Sequence, residues 1–140
     1  MKNKFNFNQK TLKFVHENNY EEENLIKSSC NHIAINFIEK WPNWPLDNRI
    51  ACIFGAAGSG KTHIARVWKK KSNAKILNKI NHLALNYIYE NNTPLVFEDI
   101  NSNINWPEKL LFEFINEIKL SKNYLLITCK GNPNNIKWNL

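Results

Sequence analysis

Gly55-Ala56-Ala57-Gly58-Ser59-Gly60-Lys61-Thr62 is the stretch whose reading decides the fold. It fits the pattern G-x-x-x-x-G-K-[ST], a loop between a strand and a helix that wraps a phosphate. Gly55, Gly58 and Gly60 can take positive φ, so the backbone can curl with its N–H groups turned inward toward an anion. The apolar run Ile50-Ala51-Cys52-Ile53-Phe54 before it reads as a buried strand. Lys61 through Lys70 reads as a helix, whose N-terminus carries partial positive charge facing the same anion. The loop residues Gly55, Ala56, Ala57, Gly58, Ser59, Gly60, Lys61 and Thr62 are therefore the expected nucleotide site. Within it Lys61 reaches the β- and γ-phosphates, and the Thr62 hydroxyl ligates Mg²⁺. A chance glycine-rich turn is the competing reading, and the strand before it and helix after it argue against that.

The 140 residues suit one domain with a sizeable core. A hydrophobic content of 43% and an aromatic content of 12% place the chain among globular proteins rather than disordered ones. No apolar run approaches a membrane span, and Met1 to Lys10 carries charges without an apolar h-region. A soluble, cytoplasmic protein is expected, with no membrane partner. Cys30, Cys52 and Cys129 are odd in number and lack metal-type spacing, which fits a reducing compartment. Cys52 and Cys129 are expected to be buried at strand positions. The net charge of +7 raises the question of nucleic acid. The basic residues are almost all lysine, however, and Arg49 and Arg66 are the only arginines. Without an arginine cluster to fork onto bases or phosphates, direct DNA binding is not expected.

Around the loop the chain alternates. Residues 1–23 read as a polar, flexible arm with scattered aromatics, and 24–140 as one nucleotide-binding domain, incomplete at its C-terminus. Ser28-Ser29-Cys30-Asn31 offers capping residues for a helix whose apolar positions are Ile33, Ala34, Phe37, Ile38 and Trp41, ended by Pro42. Ala74 to Leu77 is a second strand. Ile80, Leu83, Ala84, Tyr87 and Ile88 line one face of a further helix, and Asn91 to Pro94 breaks it. Leu95-Val96-Phe97 leads into the acids Glu98-Asp99. Trp106-Pro107 opens a helix with Leu110, Leu111, Phe114, Ile115 and Ile118 on its face. Tyr124 to Thr128 is the last strand. Strands alternating with helices imply right-handed βαβ crossovers and a parallel sheet, whose ligands gather at the carboxyl ends of the strands. The glycine loop, Glu98-Asp99 and Thr128 then share one edge.

Carboxylates at a strand tip are what Mg²⁺ needs beside a phosphate loop. Glu98 is the expected holder of the Mg²⁺ shell, and Asp99 the group that polarises the water attacking the γ-phosphate. Acids that merely begin a turn are the alternative. Thr128 is either a sensor that orients the attacking water or a strand-end hydroxyl bonded locally.

These residues add up to a resemblance. The chain resembles the AAA+ ATPases related to the replication initiator DnaA, and among them the short regulators of the Hda type. Leu25-Ile26-Lys27-Ser28-Ser29-Cys30-Asn31 is similar to the segment that borders the adenine pocket in that family, which adds Leu25 and Ile26 to the nucleotide site. Trp41-Pro42-Asn43-Trp44-Pro45 resembles the W-P-x-W-P lead-in of alphaproteobacterial Hda-like proteins. Gly60-Lys61-Thr62-His63 through Trp68 resembles their G-K-[ST]-H-L-x-x-x-W. Leu111 to Asn116 and Leu125-Leu126-Ile127-Thr128 resemble their L-F-x-x-x-N and L-L-L-T. The resemblance implies an α/β, three-layer αβα P-loop NTPase core of AAA+ type with a parallel sheet. It implies ATP or ADP with Mg²⁺ as cofactors. It also implies DnaA and the DNA polymerase sliding clamp as partners, in regulating the initiation of chromosomal replication. Lys2-Asn3-Lys4-Phe5-Asn6-Phe7 keeps two aromatics of the clamp-docking motif but not its glutamine. In relatives, an arginine finger and a helical lid follow the point where this sequence stops. The expectation is therefore a core lacking the C-terminal helical lid, whether as a piece of such a protein or a reduced variant. A small P-loop kinase and a DnaC-like helicase loader remain as other readings; the near absence of arginine argues against both.

Overall fold

The computed structural model describes residues 25–101 and 106–135. The arm read over residues 1–23, its clamp-like segment and the last five residues lie outside the described residues.

Four strands form one all-parallel sheet: β1 (Ile50–Phe54), β2 (Lys75–Leu77), β3 (Leu95–Ile100) and β4 (Leu125–Cys129), in the order β1-β4-β3-β2. The chain crosses from β1 to the far edge and then steps back, so β4 ends up between β1 and β3. The connecting helices α2 (Lys61–Ser72), α3 (His82–Glu90) and α4 (Glu108–Ser121) cover the faces, and α1 (His32–Glu39) packs beside α2. Because side chains alternate along a strand, each strand feeds two cores. Leu95, Phe97 and Leu125 join Leu111, Phe114 and Ile118 of α4 and Leu85 of α3 on one face. Val96 and Leu126 join Ile35 and Ile38 of α1 and Ile64, Ala65, Val67 and Trp68 of α2 on the other. The second core is strongly aromatic. Trp68 stacks on Trp44 with ring centroids 5.4 Å apart and meets Trp41 edge-on at 6.3 Å, while Tyr124 closes edge-on against Trp44 at 5.4 Å. Such offset and edge-to-face contacts suit the ring quadrupoles and fix the W-P-x-W-P segment against the helix that follows the glycine loop.

Three details of burial differ from the sequence reading. Ile33 is exposed on α1 and Ile35 is buried in its place. In α3, Leu83 is exposed and Leu85 buried. The cause is the helix start: Asn81 caps α3, its Oδ1 accepting from the Ala84 N–H at 3.0 Å. Ile80 thus precedes the helix and cannot set its phase. Cys129 is buried as expected, but Cys52 is exposed, because β1 is the edge strand and only its β4 flank is paired. An apolar groove of about 510 Å³ runs along β1 beside α1, with Cys30, Ile33, Phe37 and Phe54 among its lining.

β3 carries an irregularity where it matters most. Phe97 stands opposite Ile127 and Ile100 opposite Cys129, so three steps on β3 match two on β4. One residue is extra, a β-bulge, and it falls at the acid pair.

Candidate functional site

The glycine loop shows why each small residue is there. Gly58 and Gly60 have φ of 76° and 87°, the left-handed region that a Cβ disfavours. Gly55 does not have positive φ; a Cβ there would come 3.0 Å from Ser59 Oγ, so a larger residue would have to turn that hydroxyl aside. Gly60 is the N-cap of α2, which aims the first N–H groups of that helix at the loop's interior. The Lys61 ammonium donates to the carbonyls of Gly55 at 2.8 Å and Ala56 at 2.7 Å and to Ser59 Oγ at 3.4 Å. The cation is thereby held over the mouth of the loop.

Facing the loop is the strand-tip wall. Ala57, Gly58, Lys61 and Thr62 line one cavity of about 380 Å³ together with Glu98, Asp99, Thr128 and Lys130. A parallel sheet produces this convergence, since all its strands end on the same edge and β4 brings β1 and β3 within one strand's width on either side. Residues separated by 36 positions in sequence, Thr62 and Glu98, share the same cavity.

The two acids are held differently. Glu98 is tied by a forked ion pair: Arg66 Nε donates to Oε1 at 3.2 Å and Arg66 Nη2 to Oε2 at 3.0 Å. The Glu98 side chain is only 13% exposed, so the fork is partly shielded from water. Asp99 is the bulge residue, with φ of 57°. Aspartate is among the residues that enter the left-handed region most readily, which lets the strand turn here without glycine. The Asp99 backbone N–H donates to Thr128 Oγ1 at 2.9 Å. Thr128 is buried, and its hydroxyl accepts this bond while keeping its own proton to donate. It is therefore both a locally bonded strand-end hydroxyl and a donor on the cavity wall.

The donors suit a hard cation. Thr62 offers a hydroxyl and Glu98 and Asp99 carboxylates, the oxygen set that Mg²⁺ takes when phosphate oxygens complete its shell. Among the described residues no group of three or more His, Cys, Asp or Glu forms a cage that could hold a metal alone. A metal here would be shared with a ligand.

Leu25 and Ile26 do not line this cavity. Leu25 packs against the aromatic core and Ile26 is exposed, its carbonyl accepting from Asn31 Nδ2 at 2.9 Å. Asn31 turns back on this segment instead of capping α1 with its side chain. Sequence reading gave Arg66 no role, yet it grips an acid of the site. The available signal was its place on the loop's own helix, five residues after Lys61, as one of two arginines in the chain. Lys130, which follows directly on β4, also lines the cavity and adds a second ammonium to the wall.

Cys52 and Cys129 lie just behind the loop, with their Sγ atoms 3.4 Å apart. Although the Cys52 residue is exposed along the groove, burial of its thiol, then the bond to Cys129 and the charge there, push its pKa up to about 12. It is a neutral thiol near pH 7 and a poor nucleophile.

No protein-family model matches the chain. The sequence is 30% identical, over an alignment of 165 positions, to the chromosomal replication initiator protein DnaA of Ureaplasma parvum serovar 3. The match takes in 97% of this chain and 35% of that protein, so the chain spans little more than a third of the relative's length. Among solved structures, AMPPCP-bound DnaA from Aquifex aeolicus superposes with a TM-score of 0.64 at 18% identity, covering 82% of this chain and 43% of that one. The fold is thus a P-loop NTPase core of the AAA+ type. Both matches are to DnaA, one by sequence over about a third of that protein and the other by fold.

Proposed function

We propose that this DnaA-related chain binds ATP or ADP with Mg²⁺ in the cavity between the glycine loop and the strand tips, and uses the bound nucleotide to govern protein contacts in the initiation of chromosomal replication. One observation carries the reading: a single cavity is lined by Lys61 and Thr62 on one side and by Glu98, Asp99 and Thr128 on the other. Loop N–H groups and Lys61 would take the phosphates, and Lys61 would exchange its carbonyl partners for phosphate oxygens at little cost. Mg²⁺, shared by Thr62, a strand-tip carboxylate and the phosphates, would supply charge neutralisation. The Thr128 hydroxyl would orient a water in line with the terminal phosphate. Leu25 and Ile26, on the segment before α1, would border the adenine.

The partners follow from the Hda-like resemblance: DnaA itself and the sliding clamp, with regulation of initiation as the outcome. No helix among the described residues is long and apolar enough to cross a membrane.

Calorimetry with ATP and ADP tests the site. The wild-type chain binds both, and Lys61→Ala weakens binding by roughly 100-fold or more, since it deletes charged bonds to two phosphates, each worth about tenfold. Equal affinity in the variant removes Lys61 from the site and the reading with it. Parallel capture with purified DnaA, sliding clamp and replicative helicase tests the partners. Retention by the helicase alone would point to a loader instead.

A further inference from the structure

We infer that Asp99, rather than Glu98, supplies the carboxylate that holds a divalent cation in this cavity, and that Glu98 is a positioning residue which ties the loop's helix to β3. The inference deepens the nucleotide reading above and rests on it.

Two independent observations lead there. The first is the counter-ion. Both Glu98 oxygens accept from one guanidinium, at 3.2 Å and 3.0 Å, in a pocket that leaves the carboxylate mostly shielded. A cation already spread across both oxygens cancels the charge a second cation would be drawn to, and repels a dication approaching the same group. To ligate Glu98, a dication must either share an oxygen with the guanidinium at close range or open the fork and loosen its hold on Arg66, whose side chain is only 33% exposed.

The second observation is the backbone of Asp99. The bulge places an extra residue in β3 at this point, and Asp99 adopts φ of 57°. A non-glycine residue held in a sparsely populated region persists only where its surroundings impose it, and bulges beside active sites commonly re-aim a side chain. Here the imposition is visible: Thr128 Oγ1, on the neighbouring strand, accepts the Asp99 N–H at 2.9 Å. This bond is made by the backbone, so the carboxylate's lone pairs stay available to a ligand. Asp99 is exposed and lines the cavity with Thr62, the hydroxyl that would complete the protein's share of the metal shell. Magnesium asks for one or two carboxylates beside the phosphates. Of the two acids, the one not already spent on an arginine is Asp99.

The Arg66–Glu98 fork then has its own purpose. Arg66 lies midway along the helix that Lys61 begins, so the pair ties α2 to the tip of β3 and sets the width of the cavity that Lys61 and Asp99 face across.

The test measures metal demand instead of turnover. ATP affinity is titrated against free Mg²⁺ by calorimetry for the wild type, Glu98→Gln and Asp99→Asn, and Mn²⁺ bound to each protein–ATP complex is counted by electron paramagnetic resonance. Asp99→Asn is expected to raise the metal concentration at half effect by at least about tenfold, and Glu98→Gln by less than about threefold. The double variant Arg66→Met/Glu98→Gln removes the pair altogether; because it unties α2 from β3 it should weaken ATP binding to a similar degree at every metal concentration, without a selective rise in the metal requirement. Metal-free ADP affinity reports that each variant is folded. A large shift in Glu98→Gln or in the double variant, equal shifts in both single variants, or ATP binding by the wild type that ignores metal each overturn the assignment. Failure of the wild type to bind ATP at any metal concentration instead brings down the nucleotide reading, and this assignment with it.

Discussion

The two walls of the cavity are built on opposite plans. The loop wall is eight consecutive residues, Gly55 to Thr62, whose shape is set by local backbone preferences and by one close approach between Gly55 and Ser59. The strand-tip wall is Glu98, Asp99, Thr128 and Lys130, drawn from two strands and placed by a bulge, a cross-strand hydrogen bond and an ion pair to a helix. A local wall can be spoiled by a single backbone change. A composite wall depends on register and on what is packed beneath it. Ligand chemistry that needs both therefore depends on two separate kinds of order.

The contrast can be broken most severely from below the loop wall. Trp68 is fully buried in the aromatic core on the same helix as Lys61. Trp68→Ala is expected to cost about 3–5 kcal/mol of unfolding free energy in a urea titration. That is a large share of a typical domain's stability, and it should weaken nucleotide binding by displacing α2. Trp68→Phe gives a sharper comparison. Its buried indole Nε1 has no hydrogen-bond partner among the described residues, so losing it should cost much less than the alanine change.

Next in size is Gly60→Ala. A Cβ there meets nothing within 4 Å, so the penalty is purely conformational, from φ of 87°, and should be about 1–2 kcal/mol. Nucleotide affinity should fall with little change elsewhere; full retention would mean that the loop does not need the left-handed turn at Gly60. Smaller still is Thr128→Val on the other wall. It removes the acceptor for the Asp99 N–H and should cost about 1 kcal/mol in stability. If the bulge depends on that bond, the metal dependence of ATP binding loosens in the same variant. If Asp99 stays in place without it, metal dependence is unchanged and β3 alone imposes the bulge.

The smallest effect is chemical rather than energetic. With its pKa raised to about 12, Cys52 should alkylate slowly with iodoacetamide at pH 7–9 and accelerate only as the pH rises toward that value, although the residue is exposed. The sign follows from the thiolate, the reactive form, which burial and the Cys129 thiol disfavour. Rapid labelling at pH 8 would contradict the raised value.

How much of this was legible in the sequence follows the same division. The loop, its strand and its helix could be read directly, because contiguous residues encode them. That Glu98, Asp99 and Thr128 share an edge with it could be read too, since alternating strands and helices force a parallel sheet. The bulge could not be read. Nothing in Leu95 to Ile100 marks an extra residue; it emerges only when β3 is laid against β4. The Arg66–Glu98 fork joins residues 32 positions apart and needs the pitch of α2 as well as the position of β3. The exposure of Cys52 depended on strand order, which alternation leaves open. Leu83 and Leu85 exchanged places because Asn81 capped the helix later than the apolar spacing suggested.

The indole cluster has a practical consequence. Trp41, Trp44 and Trp68 lie close enough, at 5.4 Å and 6.3 Å between ring centroids, for their excited states to couple. Trp68 is about two turns along the helix whose first residue is Lys61. A shift of that helix when the loop closes would alter the geometry of the trio, and near-ultraviolet circular dichroism would register it. The protein thus carries an optical gauge of its own loop, with no label required.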